Sequence, residues 1–577
     1  MIFNKTYLNK MKKQTLILLL FVFFLSCTED SDQTWSISGN IIYDGEQQGT
    51  VIIRLYKLHE SSSGNVNRLS KRNIYGAVNP FRIIKLEKPG KYVFNDLPPG
   101  NYSLISFIDT NGGEELNFDP PEPLGWYSSH FGGTYDPIDL TKTDVNNADC
   151  KLRCPTPFPK EERYIEHGAF RWIKGVPVLQ LWGTAEERGF AHGYLVGKQI
   201  IDFFEFYILE DSWQSPKRYQ EIFVPFLETH LNCPPEFLQE CDAVIRGMIA
   251  SGINIRIESL GCDFNRTELL AINAYIERRA AFPVSPSSSC TQFAFWGAQT
   301  EGSELNGGLI AARNMDGECD VRKVTVSHFL LFTVTPSEPG RKRWFSAMWP
   351  GFVGTISSIN EDGLYSMENA GGTGPGKVFG GVVPCSWVQR YVLEKEGSRA
   401  TPESVLKLMQ DFKCEGGGIT TPGSIILWAV PYHDQETPAF VYEGDRFGGA
   451  MRIPTEVRPT DPTNIMASNH HQVYGFNPDQ PDRSFGKPIS FSSRWRYEVG
   501  MNMLEAWSRQ GKPLGMAEAK QLLQTASHGT TEYSVIFLAN ERKILVAVDD
   551  LKTDVWDAPY MEWRQFDFED LFEISTP

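Results

Sequence analysis

The chain has 577 residues, 41% of them hydrophobic and 12% aromatic, with a formal net charge of −16. It is too long for one ordinary core, so two or three domains are expected, and too apolar for a disordered polymer. The acidic balance excludes a nucleic-acid-binding surface, which needs basic patches. It does not point to a substrate, because a solvated acidic surface gives the same count.

Lys5, Lys10, Lys12 and Lys13 precede an apolar run that begins at Thr15 and closes on Phe24, Leu25, Ser26 and Cys27. A basic stretch followed by a short apolar one is an export signal, with Met11 an alternative start, and it is too short to span a bilayer. Its end resembles a bacterial lipobox. That resemblance implies removal of 1–27, a lipid on Cys27 and an anchored place in the cell envelope. Phe24 stands where such boxes usually carry Leu, which leaves plain secretion open. The acidic stretch 28–32 resembles the export tether of bacterial surface lipoproteins. Ten cysteines in an exported chain invite disulfides. With Cys27 and Cys290 set aside, Cys150 and Cys154 bracket a domain boundary, and Cys233 pairs on paper with Cys241 or Cys262. The spacings make no paired zinc framework, so neither metal nor cofactor is expected.

Residues 34–112 alternate apolar and polar positions between turn residues, the pattern of successive β-strands. The stretch 94–102, with Pro98, Pro99 and Gly100, resembles the hairpin of prealbumin-like domains, which implies a small all-β sandwich over 34–112. The turn that follows, with Asp109 and Asn111, reads either as an Asx turn or as a calcium loop. Residues 113–160 read as a linker and 161–577 as the main domain. There the periodicity predicts a strand over 176–182 and a helix over 186–209 capped by Thr184. Further helices are expected over 235–253, 267–280, 401–412 and 494–507. Strands are expected over 324–334, 351–359, 363–367, 424–430, 533–538 and 543–548. Strand blocks flanked by helices make an α+β layered fold.

Cys290 follows the Pro/Ser-rich run 280–289 and opens an alternating segment. A second apolar run, from Gly307, ends in Arg313, Asn314, Met315 and Asp316. A cysteine heading one strand and an Arg-Asn-x-Asp cluster ending the next suit an N-terminal nucleophile, whose own α-amine serves as base once the chain is cut before it. The plain alternative is a buried strand cysteine. No Gly-x-Ser-x-Gly elbow supports a serine hydrolase. His192 in a mostly apolar helix reads as structural. His470 and His471 are adjacent and point apart in an extended segment, and His528 carries no assignment.

The order of motifs resembles the acyl-coenzyme A:6-aminopenicillanic acid acyltransferase family, related to choloylglycine hydrolases. The match runs from the segment 183–193 with Thr184, Arg188 and His192, through Cys290 and Arg313 to Asp316, then 360–369, 467–470 and 491–494. It implies an Ntn-hydrolase αββα sandwich, self-cleavage between Ser289 and Cys290, and action on a linear amide of an N-acylated small molecule through a Cys290 thioester. By resemblance Asp316 orients the Cys290 amine, and Arg313 tunes the thiolate or holds substrate charge. Asn369 and Asn469 supply oxyanion-hole or amine-orienting amides, and Arg494 is the later arginine beside the nucleophile. Each also has a bland reading: a surface turn for the Arg313–Asp316 pair, loop asparagines, and a helix-start arginine. Acyl-coenzyme A is scarce outside a cell, so hydrolysis is expected, with acyl transfer to an amine the near alternative. A non-catalytic surface binding lipoprotein is the alternative from another class.

Overall fold

The computed structural model describes residues 33–59, 78–128, 136–281, 289–317, 319–371, 378–421, 423–457, 461–474, 492–552 and 555–574. Cys27 and the export segment lie outside the described residues. The described chain divides into two compact units.

The first unit takes the described residues up to Glu114, then Leu124–Tyr127 and those up to Arg153. It contains a three-stranded sheet and a five-stranded one around their own apolar cluster, with Ile37, Leu55, Phe94 and Leu104 at its centre. The stretch 113–160 is not a linker. It supplies the strands Leu124–Trp126, Ile138–Asp139 and Cys150–Lys151, which pair with the earlier ones. Their shortness hid them, since two or three residues show no period. The Asp109 carboxylate accepts from the backbone N–H groups of Asn111, Gly112 and Glu114, at 2.7–3.2 Å. That is an Asx turn; both of its oxygens are occupied by amides.

The second unit mixes helices with two large sheets. Ten strands run in the order Gly448–Arg452, Ala439–Asp445, Gly423–Ala429, Tyr365–Ala370, Ser357–Asn360, Trp344–Met348, Leu330–Pro336, Val176–Gly183, Gly168–Ile173 and Arg163–Ile165. The other sheet orders Asn464–Ala467, Ser289–Phe295, Ile310–Asp316, Thr530–Leu538, Lys543–Val548 and Arg564–Asp567, with Trp556–Asp557 beside Thr530–Leu538. The sheets meet through side chains. Phe537 packs on Phe345 and Tyr365, and Gln292 donates to the Ile425 carbonyl at 2.9 Å.

Thr184 caps the helix Ala185–Asp202 in a capping box with Glu187, as its sequence predicts. That helix lies on Pro235–Ala250 and against the Gly168–Ile173 and Val176–Gly183 strands. Gly193 explains part of the motif: a Cβ there would fall 1.9 Å from the Val244 carbonyl oxygen, so the helices touch backbone to backbone. The helices Ser492–Arg509 and Met516–Ala526 pack against the seven-stranded sheet.

The expected strand over 324–334 is shorter than its β-branched residues suggest. Buried Asp320 accepts from the amides of Arg322, Val324 and Thr325, and this curls Val324–Ser327 into a helical turn before the strand Leu330–Pro336. All nine described cysteines are free thiols, so the expected pairings of 150 with 154 and of 233 with 241 or 262 are not formed.

Candidate active site around Cys290

The register of two neighbouring strands builds the site. Ser289–Phe295 pairs antiparallel with Ile310–Asp316, so that Ser289 faces Asp316, Cys290 faces Met315 and Gln292 faces Arg313. Side chains alternate between the faces of a strand. Cys290, Arg313 and Met315 therefore share one face, the one turned toward the ten-stranded sheet. Thr291, Asn314 and Asp316 share the other, against the helices.

On the first face Arg313 Nη2 lies 3.2 Å from Cys290 Sγ and 3.1 Å from Met315 Sδ. Its other terminal nitrogen donates to the Ile356 carbonyl at 2.8 Å and to Ser357 Oγ at 2.5 Å. Burial holds the Cys290 thiol above its ordinary range; the Arg313 guanidinium pulls the other way by stabilising a thiolate. For Arg313 itself burial would depress the cation, but the facing thiol, Tyr533 and Glu368 outweigh it and the net direction is up. A cavity of about 20 Å³ adjoins the sulfur, with Tyr275, Arg278, Arg279 and Glu368 in its walls. It has room for about one water.

The nitrogen of Cys290 is held separately. Its N–H donates to Asn469 Oδ1 at 2.8 Å, and Asn469 Nδ2 donates to the Ala370 carbonyl at 2.9 Å. Asn369 Nδ2 lies 3.1–3.3 Å from the carbonyls of Cys290, Ala467 and Ser468. Two amide hydrogens are thus spent on strand ends, and Asn369 is a brace rather than a free oxyanion donor. Asp316 is brought to the neighbourhood, but it lies on the face opposite the sulfur, where its Oδ1 accepts from Thr531 Oγ1 at 2.6 Å. The acceptor of the Cys290 N–H is Asn469, not Asp316.

Arg494 is not in the site. It is exposed, while Arg496, two residues on, is fully buried. Arg496 donates to the Cys290 carbonyl, to Thr291 Oγ1 at 2.7 Å and to Asn469 Oδ1 at 2.7 Å. Burial lowers its pKa, opposed by Asp316 and the Cys290 thiol. The signal was present in the sequence. Ser493, Arg496, Tyr497, Gly500, Met501 and Leu504 form the buried stripe of this helix, spaced three or four apart, and Arg494 falls off it.

Two of the histidines are buried and hydrogen-bonded within the second unit. His192 accepts from the Gly351 N–H at 3.0 Å, and burial pushes it down to about 3. His470 shares Ser493 Oγ at 2.7 Å through Nδ1 and is pushed by burial to about 4. No cluster of three or more metal-ligating side chains occurs among the described residues.

No protein-family model and no curated protein matches the chain. Among solved structures it is similar to the Caenorhabditis elegans ortholog of N-acylethanolamine-hydrolyzing acid amidase, at 12% identity and a TM-score of 0.30, over 44% of this chain and 93% of that one. It is also similar to a mutant conjugated bile acid hydrolase from Clostridium perfringens, at 10% identity and a TM-score of 0.31, over 50% and 95%. A third is penicillin V acylase from Agrobacterium tumefaciens, at 10% identity and a TM-score of 0.28, over 49% and 88%. Likeness at this level decides neither fold nor function, so the case rests on the geometry around Cys290.

Proposed function

We propose that the chain is an exported cysteine hydrolase of the N-terminal-nucleophile kind that cleaves the linear C–N amide bond of an N-acylated small molecule. One observation carries this reading: a guanidinium stands 3.2 Å from the Cys290 sulfur, while the nitrogen of the same residue is held by Asn469 at 2.8 Å. Segments far apart in sequence thus converge on the two atoms that the chemistry needs. The two facing sheets, with helix pairs packed against each, suit the αββα arrangement of that class. The first unit suits a prealbumin-like module.

Activation begins with Cys290 Sγ attacking the Ser289 carbonyl carbon. The C–N bond breaks, an ester to sulfur forms, and the nitrogen leaves as a free amine. Water then hydrolyses the thioester, giving a carboxylate on Ser289 and a Cys290 with both thiol and α-amine. That amine takes the thiol proton, and the thiolate, steadied by Arg313, attacks the substrate amide. The second N–H of Asn469 Nδ2 and backbone N–H groups hold the oxyanion. The amine product leaves with the proton, and water releases the acid from the thioester. Tyr275, Arg278 and Arg279 line the cavity from the upstream side of the cut, so severing the chain loosens that wall. The lipid anchor on Cys27, and with it a place on the bacterial envelope, belongs to this proposal too. It predicts fatty-acid labelling that is lost in Cys27→Ala.

Intact-mass measurement of the purified protein tests the core of the reading. The expected result is two fragments meeting at Ser289 and Cys290, a single whole chain for Cys290→Ala, and release of amine from a panel of N-acyl amino acids by the cut form alone. A wild-type chain that stays whole and resists thiol reagents overturns it.

A further inference from the structure

The face of the Cys290 sheet turned away from Arg313 carries a second set of polar groups. Asp316 is fully buried; its Oδ1 is taken by Thr531, and its Oδ2 has no hydrogen-bond partner. His528 Nε2 lies 3.5 Å from that oxygen and likewise has no hydrogen-bond partner. A buried acceptor without a donor is costly, and natural proteins rarely leave one without a reason. The other ring nitrogen, Nδ1, sits 3.1 Å from Thr530 Oγ1. When that hydroxyl donates to Nδ1, the ring's own hydrogen stands on Nε2 and faces Asp316. The His528 side chain is 19% exposed against 0% for Asp316, so the ring links a buried carboxylate to the surface.

We propose that His528 is a positioning residue for Asp316, its Nε2–H closing onto Oδ2 and fixing the carboxylate at the end of the strand that pairs with Ser289 and Cys290. The role in the reaction rests on Cys290 being an N-terminal nucleophile; the pairing itself does not. The other groups around the ring leave Asp316 as its acceptor. Trp495 meets it edge-on and is uncharged. Asp557 Oδ1 is taken by Ser527 Oγ and the Gly529 N–H. Arg496 lies on the same side of the sheet, donating to Thr291 Oγ1, and attracts Asp316.

Two measurements decide it. His528→Phe should slow self-cleavage of the whole chain, and turnover by the processed protein, about tenfold and change the shape of the pH–rate profile. His528→Gln, which keeps an N–H donor, should restore most of the rate. Equal rates in wild type and His528→Phe, or no rescue by Gln in variants that melt normally, overturn the role. In Cys290→Ala, which stays whole under any reading, nitrogen-15 NMR should find the neutral ring protonated on Nε2, with that signal moved by Asp316→Ala. A ring protonated on Nδ1, or a signal indifferent to Asp316, overturns the pairing even where cleavage fails for another reason.

Discussion

Two kinds of buried arginine occur in the second unit, and they differ in what they face. Arg390 meets Glu394 at 2.7 Å and Glu240 at 2.8 Å, Arg188 meets Glu338 at 2.8 Å, and Arg452 meets Glu443 at 2.7 Å. Arg313 is as deeply buried, yet among the described residues no carboxylate lies within salt-bridge distance of it. Its partners are a carbonyl, a hydroxyl and two sulfurs. The first group is neutralised locally and ties helix to helix, helix to loop and strand to strand. Arg313 has Glu368 only beyond contact distance, and its field falls on a thiol, an arrangement that costs stability and is typical of sites where charge develops.

The sharpest way to break this contrast is to remove one arginine of each kind. Arg313→Met is expected to lower self-cleavage and turnover by about 100-fold or more, because the developing thiolate loses its cation. It should leave the unfolding free energy within about 1 kcal/mol, since no buried carboxylate is stranded. Arg390→Met should do the reverse, costing about 3–5 kcal/mol by leaving Glu240 and Glu394 unpaired. Urea titrations in the Cys290→Ala background, where no cut complicates unfolding, measure both. Equal destabilisation by the two variants would make Arg313 one more structural cation.

A smaller effect separates neighbours on one helix. Arg496→Met removes the donor to the Cys290 carbonyl and to Asn469 and should cost about 10- to 100-fold in rate. Arg494→Ala, at the surface, should stay within about 0.5 kcal/mol of wild-type stability and keep its rate. Rates followed by fragment appearance distinguish the two, and a loss at Arg494 instead would return the role to the residue that the motif order alone suggests.

The contrast between these arginines also marks how much the sequence discloses. Cys290, Arg313 and Asp316 are legible because two adjacent strands carry them, and a period of two fixes which side chains share a face. The face itself is what the motif order cannot give, and so Asp316 falls opposite the sulfur, with Asn469 on the nitrogen. Arg494 and Arg496 differ only in helical phase, which the stripe of Ser493, Tyr497, Gly500 and Leu504 encodes but a motif match ignores. Asn369 looks like a catalytic amide until its contacts are seen to be three strand-end carbonyls. Short pairings such as Cys150–Lys151 and Leu124–Trp126 have no period to read, which is why a linker was expected where the first unit places strands.

A last effect, read as a slope against pH, comes from the mirror image of Arg313, a buried acid with no base within salt-bridge distance among the described residues. Glu394 is buried among Arg390 and Arg341, which hold its carboxyl below the usual range against the cost of burial. Glu277 is fully buried, accepts from the Cys385 N–H at 2.8 Å through Oε1, and leaves Oε2 without a hydrogen-bond partner. Burial pushes it up to about 8. The folded chain therefore keeps a proton on Glu277 between the ordinary glutamate range and about pH 8, while the unfolded chain has already released it. With more protons bound in the native state, stability falls as pH rises through that window, by at most about 1.4 kcal/mol per pH unit from this group. Glu277→Gln retains an acceptor for the Cys385 N–H and carries no charge, so it should flatten the slope and be the more stable protein near pH 8. Urea midpoints of both proteins in the Cys290→Ala background, taken from pH 5 to pH 8, measure this; parallel curves would show that Glu277 ionises without cost where it is buried.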